Sequence, residues 1–289
     1  MFPGPCYPRW SALAALLLVL VASCSSEEKP AAPADAAPIA AAGSDGIPQT
    51  TNAAGLIRTE GPTIETRFVP PQGYERAEVG PDSFAAYLRR LPLKPSGARV
   101  RYYHRGEKDS EGVYVAVVDF NLGRRDLQQC ADAVIRLRAE YLYAQGKYDQ
   151  IHFNFLSDGR PRAYLDRVGA DRSYAAFLRY LDFVFERANT ASLAAEMTPV
   201  RDFRELRAGD VFIQPRRPYG HAVIVVDLAV NAASGKKVFL LAQSYMPAQD
   251  IQVLVNPNDP ALSPWYAADF EGPLLTPQWT FEKVDLKRF

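Results

Sequence analysis

Apolar positions recur at two spacings along this chain. "PDSFAAYLRRLPL" (81–93) has a helical spacing closed by proline. "RDLQQCADAVIRLRAEYL" carries Leu127, Cys130, Val134, Leu137 and Tyr141 at steps of three and four, which predicts an amphipathic helix. Asp126 is a candidate cap, with Gln129 three residues on reaching back, so Cys130 is expected on the buried face one turn inside the helix. "SYAAFLRYLDFVFERA" (173–188) and "TASLAAEM" (190–197) read as further helices. "ARVRYYH" (98–104) and "GVYVAVVDF" (112–120) are rich in Val, Tyr and Phe and predict strands, with the charged "RGEKDSEG" as their hairpin loop. "YDQIHFNFLSDGR" (148–160) is a short apolar segment ending in a turn.

From residue 209 the pattern turns to strands: "GDVFIQP" (209–215), "GHAVIVVDLAV" (220–230) and "KKVFLLAQSY" (236–245), with "NAASG" joining the last two. The tail "SPWYAADFEGPLLTPQWTF" (263–281) is less regular. Helices followed by a run of antiparallel strands define an α+β domain.

Composition alters the reading mainly at the N-terminus. An apolar run from Ala12 to Ala22 follows Arg9 and ends in "VASC". It is short for a membrane span and fits a secretory signal. "VASC" resembles a bacterial lipobox, which implies cleavage before Cys24, lipidation of that residue and a membrane anchor on the periplasmic side of the cell envelope. Residues 25–56 are rich in Ala, Pro, Ser and Gly and read as a flexible stalk. The expected organisation is a signal peptide over 1–23, a linker over 24–60 and one α+β domain over 61–289.

Acidic and basic residues balance at 33 each. No basic cluster stands out, so nucleic acid is not an expected partner. Three scattered histidines give no ligand spacing, and no metal or cofactor is expected.

With Cys6 removed with the signal and Cys24 lipidated, Cys130 is the one thiol left over. Exported proteins usually pair their cysteines, so a leftover thiol is either inert core or kept for its chemistry. A helix N-terminus favours the thiolate, and a histidine can take its proton. Of the three histidines, His104 ends a strand beside a charged loop and is expected exposed, and His152 alternates with phenylalanines. His221 opens a strong strand at a cleft edge and is the preferred base. Asp227 shares its strand parity but lies too far along to orient it. A hairpin to "KVFLLAQS" brings either Gln243 or Ser244 opposite His221, with Gln243 preferred because its carbonyl oxygen accepts from an imidazole N–H. The Cys130 N–H, with Gln128 or Gln129 in support, is the candidate oxyanion donor. Asn154 is a candidate peptide contact. Trp265 and Trp279 are expected to pack the tail, and Arg124 and Arg125 to occupy a solvated turn.

A cysteine helix, then "GDVFI", then "GHAVIVV" and a strand ending in a polar residue resembles the papain-like amidases of the NlpC and CHAP type. That resemblance implies a papain-like core in which an N-terminal cysteine helix packs on an antiparallel sheet. It implies Cys130 as nucleophile, His221 as base, Gln243 as orienting residue and Asp210 as the turn residue. The implied activity is cleavage of amide bonds in cell-wall peptides. The phrases "RDLQQCADAVIRLRAEYLY", "GHAVIVVD", "LLAQSYMPAQD", "SPWY" and "LKRF" resemble a family of bacterial lipoproteins with an uncharacterised domain. The other expectation is a binding or scaffold lipoprotein without catalysis.

Overall fold

The computed structural model describes residues 55–109 and 112–289. The expected signal peptide, Cys24 and most of the expected linker lie outside them. The architecture is α+β. Helices α1 (Ile64–Arg67) and α2 (Phe84–Arg89) precede α3 (Cys130–Ala144), and α4 (Tyr164–Val168), α5 (Tyr174–Phe185) and α6 (Thr190–Glu196) follow it.

The sheet is built on two long strands, β7 (His221–Asn231) and β8 (Lys237–Gln243). Each is shared between partners along its length. The first half of β7 pairs β6 (Val211–Gln214), while its end pairs β1 (Tyr74–Arg76). The start of β8 pairs β10 (Tyr266–Ala267) and its end pairs β9 (Gln252–Leu254), which continues to β2 (Tyr114–Val117). Beyond β6 lie β13 (Leu286–Arg288) and β5 (Thr198–Pro199). Every pairing is antiparallel. A separate hairpin joins β3 (His152–Asn154) to β4 (Pro161–Ala163), and β11 (Leu274–Leu275) pairs β12 (Thr280–Phe281).

Both faces of the sheet are covered, which is why "HAVIVVDLAV" is apolar almost throughout rather than alternating. Ala222, Ile224, Leu240 and Ala242 pack toward Val134 and Leu137 of α3. Val223, Val225, Phe239 and Leu241 pack on the opposite face against Phe281, Leu274 and Leu286 of the C-terminal segment. A bulge between Val225 and Asp227 resets the alternation. Asp227 therefore does not keep the parity of His221; it is fully buried and accepts from Arg76 Nε at 2.7 Å and Arg89 Nε at 2.6 Å.

Several expectations are corrected. Helix α3 begins at Cys130 itself, with Gln129 as its N-cap residue. The Leu127 and Gln129 N–H groups bond the carbonyls two residues back, so the preceding stretch is a run of tight turns. Asp126 does not cap the helix; its Oδ1 accepts from Ala248 N at 2.7 Å and Gln129 Nε2 at 3.0 Å. The helix is buried on nearly all sides, because neighbouring helices cover the face that the sheet does not. Its buried polar pair is Arg136 Nε to Glu140 Oε1 at 2.8 Å, extended by Arg136 to Gln128 and by the Tyr174 hydroxyl, which donates to Glu140. Residues 98–104 form isolated bridges rather than a strand. The charged loop after them is not wholly solvated: Lys108 is buried.

The Gly-Asp turn before β6 has a specific cause. Gly209 sits at φ +97°, which disfavours side chains. Asp210 accepts from the Arg207 N–H at 2.9 Å and from Arg288 Nε at 2.6 Å, so "LKRF" at the end of the chain locks the turn.

Candidate functional site

The first residue of α3 meets the first residues of β7. Cys130 Sγ lies 3.9 Å from the Gly220 carbonyl and also bonds the Ala222 N–H and the Thr190 hydroxyl at the start of α6. The sulfur thus contacts backbone on both sides of His221. Gly220 is itself closely packed: a Cβ there would stand 2.3 Å from the Gln214 carbonyl oxygen and 3.0 Å from Thr190 Cγ2.

His221 is buried rather than open at a cleft edge, at 1% exposure. Its ring centroid lies 4.8 Å from that of Tyr245, 5.2 Å from Trp279 and 5.9 Å from Phe281. Its Nε2 is 2.8 Å from Gln243 Oε1. The strand register differs from the expected facing pair. Ile224 stands opposite Ala242. One further step puts Gln243 opposite Val223, so Gln243 reaches His221 diagonally along one face of the sheet.

The other candidates divide. Ser244 does not face the imidazole; its hydroxyl sits between the carbonyls of Gln128 (2.9 Å) and Gln249 (2.8 Å), tying the turn before α3 to the loop after β8. Gln129 has its amide nitrogen on Asp126, and Gln128 Oε1 accepts from Arg136 Nη1 at 3.0 Å. The donor nitrogen of Gln129 is thereby committed to Asp126, whereas the Gln128 contact engages only its oxygen. The backbone N–H groups at the start of α3 have no acceptor one turn back within the helix. Asn154 lies on the β3–β4 hairpin, its N–H on Glu196 Oε2 at 2.9 Å, at the end of α6 away from Thr190. Arg125 pairs with Glu186 and Asp182 beside a cavity of about 240 Å³ that Gln128, Arg124 and Arg136 also line. His104 is exposed, and His152 Nδ1 lies 3.3 Å from Glu196 Oε1. Trp265 is fully buried, with Nε1 on the Val69 carbonyl at 2.8 Å.

Sequence reasoning missed Thr190, Tyr245, Gln278 and Lys108. Lys108 Nζ lies 2.8 Å from Gln278 Oε1 and 2.9 Å from Gln249 Oε1. Gln278 Oε1 also accepts from Gln243 Nε2 at 2.8 Å. Lys108 and Gln278 come from loops whose composition signals only a turn.

Desolvation governs the electrostatics. Burial pushes the Cys130 thiol up, with Asp132 adding to it, against hydrogen bonds from the Ala131 and Ala222 N–H groups and Thr190. Burial takes His221 down to about 4, opposed by Gln243 and reinforced by Lys108. Burial lowers Lys108 to about 8, and burial followed by Cys130 raises Tyr245. Thiol and imidazole are both neutral at pH 7 in this form. With Gln243 Oε1 accepting at Nε2, the ring nitrogen left to take a proton is Nδ1.

Among the described residues no group of three or more His, Cys, Asp or Glu is placed to hold a metal ion, and no helix is long and apolar enough to cross a membrane.

Fold and site together define an α+β protein with a cysteine and a histidine brought to one end of its central strand pair. A family profile matches residues 64–164 and 158–288, and the chain belongs to that family, described as a domain of unknown function (4846). No curated protein and no solved structure matches it.

Proposed function

We propose that the protein is a lipid-anchored cysteine amidase or peptidase with a papain-like core, acting on amide bonds of cell-wall-type peptides. Cys130 is the nucleophile, His221 the base and Gln243 the residue that orients it. The observation that carries this reading is the sulfur seated against the backbone on both sides of His221, while the far nitrogen of that imidazole is held by an amide oxygen. A thiol at a helix N-terminus, a base and an orienting group are the parts nucleophilic catalysis needs. In the proposed reaction Sγ attacks the carbonyl carbon after its proton passes to Nδ1. The Cys130 N–H faces the developing oxyanion, and the imidazolium returns the proton to the leaving amine, giving an acyl-enzyme that water hydrolyses. Cys24 supplies the membrane tether on the periplasmic side.

The test is hydrolysis of purified muropeptides by the full chain, read by mass spectrometry as new amine and carboxylate ends. Cleavage lost in both Cys130→Ala and His221→Ala supports the assignment; cleavage that survives Cys130→Ala overturns it.

A second reading is a binding or scaffold lipoprotein on the same fold. It is favoured by the burial of Cys130 (7% exposed) and His221 (1%), and by shifts that hold both neutral. It predicts no cleavage by the wild-type chain and unaltered cellular function in Cys130→Ser.

A further inference from the structure

The amide chain behind His221 has a direction, and one cation sets it. An ammonium group only donates hydrogen bonds. Lys108 Nζ meets Gln278 Oε1 at 2.8 Å and Gln249 Oε1 at 2.9 Å, so both amides must turn their oxygens to it. Gln249 is fixed the same way from its other end, because its Nε2 donates to the Pro247 carbonyl at 3.1 Å. Gln278 Oε1 then accepts a second bond, from Gln243 Nε2 at 2.8 Å. That leaves Gln243 Oε1 facing His221 Nε2 at 2.8 Å. A carbonyl oxygen only accepts, so the proton sits on Nε2 and the lone pair on Nδ1. Lys108, Gln243 and Gln249 are buried, where water cannot replace a lost partner cheaply.

We propose that Lys108 and Gln278 are positioning residues that hold His221 in its Nε2–H tautomer through Gln243. Its use in catalysis rests on the amidase reading, since Nδ1 is the nitrogen that takes the thiol proton there; the tautomer itself does not.

The experiment is nitrogen-15 NMR of the His221 ring at pH 7 in the full chain, with circular dichroism to confirm folding. Wild type should show Nε2 protonated and Nδ1 bare. Lys108→Met frees Gln278 to invert, and Gln278→Leu removes the acceptor for Gln243; each should shift the tautomer ratio toward Nδ1–H by about fivefold, the factor for one net buried hydrogen bond. Gln278→Glu should keep the wild-type ratio, because a carboxylate accepts from both Lys108 and Gln243. Partly exposed Gln278 gives this comparison even where Lys108→Met does not fold. An Nδ1–H tautomer in wild type, or a ratio unmoved by Gln278→Leu, overturns the proposal. A shifted ratio in a chain that cleaves no muropeptide refutes the amidase reading alone. Muropeptide cleavage with an unmoved ratio refutes the relay alone.

Discussion

Gln243 holds His221 from a neighbouring strand without facing it: the two side chains meet diagonally, Oε1 to Nε2 at 2.8 Å, with Gln243 Nε2 passed on to Gln278 at 2.8 Å. Replacing Gln243 by Leu strands the imidazole N–H in a buried site. We expect a loss of about 1–3 kcal/mol in guanidinium unfolding, the cost of an unsatisfied buried donor. Gln243→Glu keeps an acceptor and adds a negative charge beside the ring, so the His221 pKa should rise from about 4. An NMR titration in which the His221 pKa stays put in Gln243→Glu would remove Gln243 as its partner.

Acid should destabilise the fold through His221. Its pKa is lowered from 6.5 to about 4 by burial. Between those values the unfolded chain binds the proton and the folded one does not, so stability is lost as pH falls through that window. The contribution at its limit is about 3 kcal/mol. Denaturation midpoints from pH 7 to pH 4 should fall less steeply in His221→Phe than in wild type, because carboxylates common to both chains cancel. Equal slopes would show that His221 titrates normally.

Gly220 is required for its size. A methyl group there would lie 2.3 Å from the Gln214 carbonyl oxygen, which belongs to the backbone of β6 and cannot swing away. Gly220→Ala should cost about 2 kcal/mol or more through overpacking. Thr190→Ser removes the methyl group that stands 3.0 Å from the same point and keeps the hydroxyl, so it should relieve only a small part of that cost. Melting of the single and double variants measures both.

How much of this was legible in the sequence depends on which interaction decided each element. Continuous apolar runs rich in β-branched and aromatic residues located β6, β7 and β8, and helical spacing located α2, α3, α5 and α6, because local pattern and burial agree there. Pairing His221 with Gln243 was also readable, but as a facing pair. The bulge at Asp227 changes the register and no local signal marks it; the carboxylate at that point is held by two arginines from β1 and α2, distant in the chain. The start of α3 was misread because Asp126 is a good cap by type, yet its carboxylate is taken by the Ala248 N–H from a loop 122 residues away. Lys108 was illegible for the same reason. In a run of charged residues it looks solvated, and only Gln249 and Gln278, far along the chain, draw it inward.

Cys130 separates the two readings of the site by its reactivity. The thiol is buried and its pKa is raised, first by desolvation and then by Asp132. Thiolate is the reacting form, so alkylation by iodoacetamide at pH 7 should be slower than that of free cysteine by about tenfold or more. The rate should climb as pH rises past the ordinary thiol range and reach the free value in guanidinium. A folded-state rate at pH 6 above that of free cysteine would mean that the thiolate–imidazolium pair already exists, and would contradict the neutral pair described above. Slow alkylation together with muropeptide cleavage would place ionisation after substrate binding, when the bound peptide and the Cys130 N–H meet the developing charge. Slow alkylation with no cleavage would leave Cys130 as a buried wall of the β7 edge, and the scaffold reading would stand.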